Sequence, residues 1–137
     1  MWYEGDMKLR FLIAACIGFL LTACGPKADL KPVQQQKSGE YTVTILNETG
    51  SLKQGQNNFT VEFRKTADNQ LVDVGTVDVA PVMEMPPMSP MMGSTQVTPS
   101  GTAGKYNVTG NFSMAGLWKC KVTFGNGQSV RFNLSAE

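Results

Sequence analysis

The chain predicts an all-β fold, an immunoglobulin-like β-sandwich of about seven strands. Three observations carry this reading. From Glu40 onward, apolar residues recur at every second position in short runs; clusters of Gly, Asn and Pro separate the runs; and no apolar period of 3.6 persists anywhere. Short alternating strands without helical segments between them suit two antiparallel sheets packed face to face.

The elements follow in order. Tyr41, Val43 and Ile45 alternate with Thr42 and Thr44, and the turn Asn47-Glu48-Thr49-Gly50 ends that strand. Phe59, Val61 and Phe63 alternate with Thr60, Glu62 and Arg64. Val77 and Val79 flank Asp78, and Tyr106 and Val108 mark a shorter strand. Trp118, Cys120, Val122 and Phe124 alternate with Lys119, Lys121 and Thr123. Gly125-Asn126-Gly127 is a hairpin signal, after which Val130, Phe132 and Leu134 close the domain. The expected core therefore includes Tyr41, Val43, Phe59, Val61, Phe63, Tyr106, Trp118, Cys120, Val122 and Phe132.

The N-terminal segment reads as an export signal. Lys8 and Arg10 precede an apolar run over residues 11–23, and Leu21-Thr22-Ala23-Cys24 matches the lipobox of bacterial lipoproteins. Thirteen apolar-rich residues fall short of the roughly 20 that a spanning helix needs. Glu4 and Asp6 suit an n-region poorly, so residues 1–6 read as an upstream start or a scar, with Met7 the more natural start. The expected organisation is a signal peptide over 1–23, lipidated Cys24 with a flexible linker over 24–39, and a folded domain over 40–137. Attachment is to a membrane surface in the cell envelope, outside the cytoplasm. Gly25 stands where an Asp would signal inner-membrane retention, so a host with two membranes would place the protein on the outer membrane, facing the periplasm. Pro26, Pro32, Gln34-Gln35-Gln36 and scattered lysines give the linker almost nothing to bury, hence the expectation of a mobile arm.

Composition narrows the chemistry. Net charge is +1, with no basic block, so nucleic acid is not an expected partner. The sequence holds no His, the usual general base and commonest metal ligand. Cys16 leaves with the signal and Cys24 carries the lipid, so Cys120 has no partner for an intramolecular disulfide. Cys120 shares the inward alternation of Trp118, and a thiol among apolar neighbours is raised in pKa and inert. Acidic residues are scattered, with no catalytic couple, and no enzyme is expected.

One segment stands apart. Residues 83–93 read Met-Glu-Met-Pro-Pro-Met-Ser-Pro-Met-Met-Gly, and Met114 lies just before the Trp118 strand. Thioether sulfur is a soft, neutral donor suited to Cu(I). The candidate soft-metal residues, for Cu(I) or Ag(I), are Met83, Met85, Met88, Met91, Met92 and Met114. Pro86, Pro87 and Pro90 favour polyproline II, which would line Met85, Met88 and Met91 along one edge but about 9 Å apart. A shared site then needs a bend near residues 90–93, or help from Met114. Two other readings stand beside the metal: Met fills gaps in packing, and an extended Pro/Met segment offers a docking surface for a protein partner.

The run Val79-Ala80-Pro81-Val82-Met83-Glu84-Met85-Pro86-Pro87-Met88, then Gly104-Lys105-Tyr106, then Met114-Ala115-Gly116-Leu117-Trp118, resembles the YtkA-like (FixH-related) domain. That resemblance covers roughly residues 40–134. It implies a small β-sandwich, often lipoprotein-anchored, associated with metal efflux or copper-oxidase assembly. The expectation is a lipid-anchored accessory binding module that handles Cu(I) or docks to such an envelope component. The competing expectation is a purely structural or protein-interaction sandwich with no metal role.

Overall fold

The structure, a computed structural model, describes residues 29–137. The signal segment 1–23, Cys24 and the start of the linker lie outside the described residues. Nine strands follow in chain order: β1 (Lys31–Ser38), β2 (Tyr41–Asn47), β3 (Gly55–Lys65), β4 (Val77–Met83), β5 (Met91–Met92), β6 (Ser94–Pro99), β7 (Lys105–Phe112), β8 (Gly116–Phe124) and β9 (Gln128–Ala136). They form two antiparallel sheets, one in the order β1-β2-β3-β7-β6 and the other β5-β4-β8-β9. The β-sandwich expected from alternation is what forms.

Alternation places the core between the sheets. Val43, Ile45, Val61 and Phe63 of the first sheet and Trp118, Cys120, Val122 and Phe132 of the second are fully enclosed. Phe59 and Tyr106 are also buried. Aromatic rings meet edge-on at both ends of this core. Phe112 lies 5.3 Å from Trp118 at 80°, and Phe63 lies 5.6 Å from Tyr106 at 87°. Such T-shaped contacts add to the burial of the rings themselves.

Two expectations are corrected. Residues 31–38, read as part of a mobile arm, form β1. Lys31 to Ser38 pair along β2, from Lys31 opposite Asn47 to Ser38 opposite Tyr41, through the two-residue turn Gly39-Glu40. The strand escaped alternation because it is an edge: it carries Pro32, Lys31 and Lys37, and only Val33 packs on the core. The folded unit therefore begins near residue 31 rather than 40. Tyr41, expected in the core, is half-buried at the rim, where its ring meets Phe124 edge-on at 5.5 Å. As the first residue of β2 after a turn, it has solvent on one side. The six strands named from alternation become nine with β1, β6 and the two-residue β5.

Register fixes which loops share an end. Lys31 of β1 stands beside Asn47, Gly55 beside Phe112, Met83 beside Met91, and Gly116 beside Ala136. The start of β1, the β2–β3 loop, the β4–β5 hairpin and the β7–β8 turn thus gather at one end, called here the Lys31 end. Gly127 and the β8–β9 turn lie at the other.

Candidate functional site at the methionine-lined end

At the Lys31 end the Met-rich segment is a hairpin, not an extended run. The Met88 N–H donates to the Met85 carbonyl at 2.6 Å, which closes a turn at Pro86-Pro87. The chain then returns so that Met91 pairs with Met83 across β4 and β5. The polyproline II spacing is thereby overturned. The bend falls at residues 85–88 instead of 90–93, because two consecutive prolines between Met85 and Met88 turn the chain there.

Gly93 makes the return possible. A Cβ there would lie 2.8 Å from Pro81 Cγ and 3.0 Å from the Asn111 carbonyl, so only glycine fits where the chain passes from β5 to β6. Its N–H donates to the Pro81 carbonyl at 3.0 Å.

The six methionines then divide into two sets. Met83 is buried, and its Cε would touch a Cβ at Gly116 at 3.1 Å; Gly116 has φ 133°, a conformation glycine tolerates. Met91 Sδ accepts a hydrogen bond from Ser113 Oγ at 2.8 Å. Met114 lies in the same β7–β8 turn, and its carbonyl accepts the Trp118 indole N–H at 2.9 Å. Gln54 of the β2–β3 loop donates to the Ser113 carbonyl at 3.1 Å, holding the turn from the other sheet. Met83 and Met91 therefore both reach residues 113–116, the turn in which the exposed Met114 sits, while Met85 packs partly buried against the core.

Met88 and Met92 do not join them. Met88 sits at the hairpin tip, and Met92 pairs with Val82, placing it on the outer face of its sheet. That face also carries the Lys119–Glu84 ion pair, at 2.9 Å but more than half exposed on both sides and so energetically minor.

The donor set near the turn is neutral. Among the described residues no group of three or more His, Cys, Asp or Glu could hold a metal ion. Cys120 lies two residues along β8 from Trp118, fully enclosed. Burial, with the Asp78 charge second, pushes its thiol up to about 12, so it offers no thiolate near neutral pH. What the end can offer an ion is thioether sulfur.

A second concavity was missed by sequence reasoning. A cleft of about 650 Å³ runs along the outer side of β3 and β7, lined by Asn58, Thr60, Asn107 and Thr109 and closed by the β2–β3 loop. Thr109 donates to Asn58 Oδ1 at 3.2 Å across the strands. The signal was available: outward positions of both strands carry amides and hydroxyls with few charges.

The comparisons with known proteins bear on family and fold. A family model described as YtkA-like matches residues 35–123, beginning inside β1. The chain belongs to the YtkA-like family. Of the motifs that carried the resemblance, the Met-Pro-Pro-Met run and the Met114–Trp118 element meet at the Lys31 end of this YtkA-like domain, whereas Gly104-Lys105-Tyr106 lies at the other. Among solved structures, the Lin-41 filamin domain is similar at 14% identity and a TM-score of 0.50, over 69% of this chain and 91% of that one. The S-layer protein SbsC domains 4 and 5 align at 18% identity and a TM-score of 0.43, over 77% of this chain and 53% of that one. At such identity the filamin likeness speaks to the fold alone. No curated protein matches the sequence.

Proposed function

We propose that this YtkA-like domain is a non-enzymatic accessory binding module of the cell envelope, lipid-anchored through Cys24, that takes up Cu(I) at its methionine-lined end. In a host with two membranes, the sorting signal at Gly25 favours the outer membrane, facing the periplasm. One observation carries the metal reading: Met83 and Met91 both reach the four-residue turn that bears Met114, with no ionisable donor among them. Thioethers bind soft monovalent ions without losing a proton, and zinc prefers thiolate and imidazole.

Titration with Ag(I) or Cu(I) under reducing conditions, against a chromogenic competitor, tests this. It is done in a Cys120→Ser background, so that any binding is assigned to thioether sulfur alone. Replacing Met91 and Met114 by Leu keeps volume, so each change should cost less than about 1.5 kcal/mol of stability. Affinity should nonetheless fall by orders of magnitude, and Zn(II) should not bind in either form. Replacing Met88 and Met92 by Leu should leave affinity unchanged. Equal binding by the Met91/Met114 variant would end the copper reading.

The second reading is a structural or protein-interaction sandwich, the coarser role that suits the family and fold. The burial of Met83 against Gly116 favours it, since that side chain is already used in packing. An envelope component docked on this end would then be the partner.

A further inference from the structure

The described residues expose five large apolar side chains: Leu30 (39%), Met114 (42%), Leu117 (55%), Met88 (66%) and Met92 (72%). All five lie at the Lys31 end. Leu30 precedes β1, Met88 caps the β4–β5 hairpin, and Met92 follows it. Met114 is in the β7–β8 turn, and Leu117 is the second residue of β8. Nothing comparable is exposed at the Gly127 end among the described residues. Clustered apolar exposure of this kind marks a surface that meets something.

The length of chain between the lipid site and the domain says what it meets. Because β1 is folded, only residues 25–29 separate Cys24 from Leu30. Six extended steps reach roughly 20 Å at most. The domain is longer than that: the eleven residues of β3 span roughly 36 Å at about 3.3 Å each. With the acyl chains in the bilayer, the Gly127 end could not be seated on the membrane, because Leu30 would then stand too far above it. The short tether keeps the Lys31 corner close to the bilayer, and the apolar residues give that end a reason to touch it.

We infer that the Lys31 end faces the membrane, with Met88, Met92 and Leu117 immersed in the lipid interface. This rests on acylation of Cys24, as proposed above. Charge does not drive the contact: Lys31, Lys53 and Lys119 at this end stand among Asp29, Glu48, Glu84 and Glu137, so the end carries no positive excess. The immersion should therefore be as deep in zwitterionic vesicles as in partly anionic ones, and insensitive to salt. It also leaves the inward sulfurs of Met83 and Met91 beside the membrane rather than at the distal end, where an integral membrane protein could reach them.

The test uses the mature lipidated protein in phosphatidylcholine vesicles, with a nitroxide on Met92→Cys or, at the opposite end, on Asn126→Cys. Cys120 is enclosed and Cys24 is acylated, so neither competes for the label. Collision with a water-soluble nickel chelate should be severalfold weaker at position 92 than at 126, and collision with oxygen stronger. Adding Met88→Ser and Leu117→Ser, both on exposed side chains, should raise nickel access at 92 toward that at 126. Equal nickel access at the two positions overturns the inference. So does a position 92 that stays wet in pure lipid but becomes shielded in native membranes, which would assign the surface to a protein. Mass analysis of the N-terminal peptide separates the two levels. An unmodified Cys24 removes the anchor and this inference together, whereas an acylated Cys24 with a wet position 92 removes the orientation alone.

Discussion

Trp118 donates its indole N–H to the carbonyl of Met114 at 2.9 Å, so the largest enclosed side chain of the core also fixes the turn that carries an exposed methionine. Scaffold and candidate site share this residue. Phe112, edge-on to Trp118 at 5.3 Å, closes the other side of the turn. Shape at the Lys31 end is therefore set by the core and not by the loop.

Replacing Trp118 by Ala should cost about 3 to 5 kcal/mol, the range for deleting a large enclosed aromatic. Against a total of about 5 to 15 kcal/mol for a domain of this size, the variant would be barely folded. Trp118→Phe should retain most of the packing yet lose the Met114 tie, costing about 1 to 2 kcal/mol. Denaturant melts of a soluble fragment, residues 29–137, measure both. A Trp118→Ala loss under about 1 kcal/mol would mean that the indole contributes little to the core.

Gln34 should be better replaced than kept. Its Oε1 is buried without a hydrogen-bond partner, opposite Ile45 on the side of β1 that packs toward β9. Desolvating an amide without compensation costs roughly 1 to 3 kcal/mol, so Gln34→Leu should raise stability by about 1 kcal/mol. The same melts read the change, and a destabilised variant would contradict it.

Removing β1 should do the reverse. A fragment of residues 40–137 keeps every strand legible from alternation but strips the ladder partner from β2. Each net hydrogen bond contributes about 1 kcal/mol, so a loss of roughly 2 kcal/mol or more is expected relative to residues 29–137. The bared edge of β2, with Val43 and Ile45, should also promote association, visible as concentration-dependent sedimentation. Equal stability and a monomeric fragment would return residues 31–38 to the tether.

Alkali should weaken the fold. Burial pushes the Cys120 thiol from 9.0 up to about 12, with Asp78 adding to the shift. Tyr106 is raised above 10.0, first by burial and then by the Asp73 carboxylate to which its hydroxyl donates at 3.2 Å. Both groups hold more protons folded than unfolded in this range, so stability falls as pH rises. Their contribution is complete below about pH 9 and is lost through pH 9 to 12. Over that whole window the thiol alone accounts for roughly 4 kcal/mol. Stability measured from pH 8 to 11 should drop, and Cys120→Ala should flatten the decline. An unchanged slope in the variant would show that Cys120 does not drive it.

Most of the scaffold was legible because inward apolar positions of β2, β3, β4, β7, β8 and β9 alternate mostly with polar ones, Leu46, Val82 and Leu117 being exceptions. Val43, Phe63, Trp118, Cys120 and Phe132 are enclosed for that reason. β1 was not legible, because three glutamines and a proline on an edge carry no period. β6 escaped for a related reason: only Thr95 and Val97 turn inward. The candidate site was legible as composition but not as arrangement. Methionines in residues 83–93 are visible in the sequence. Their division into inward and outward sets depends on a turn at Pro86-Pro87 and on contacts with Ser113 and Gly116 some 22 to 33 residues away, which no local pattern encodes.

The pairing of β1 also decides how the domain would bear a load. A tether leaving at Lys31 pulls along the axis of β1, whose partners run from Asn47 to Tyr41 of β2. Force in that direction shears the rungs together and does not peel them one at a time, so the strand resists as a unit. With the acyl anchor proposed at Cys24, tension between the bilayer and a bound partner would enter the domain along β1 and load the whole β1–β2 ladder at once.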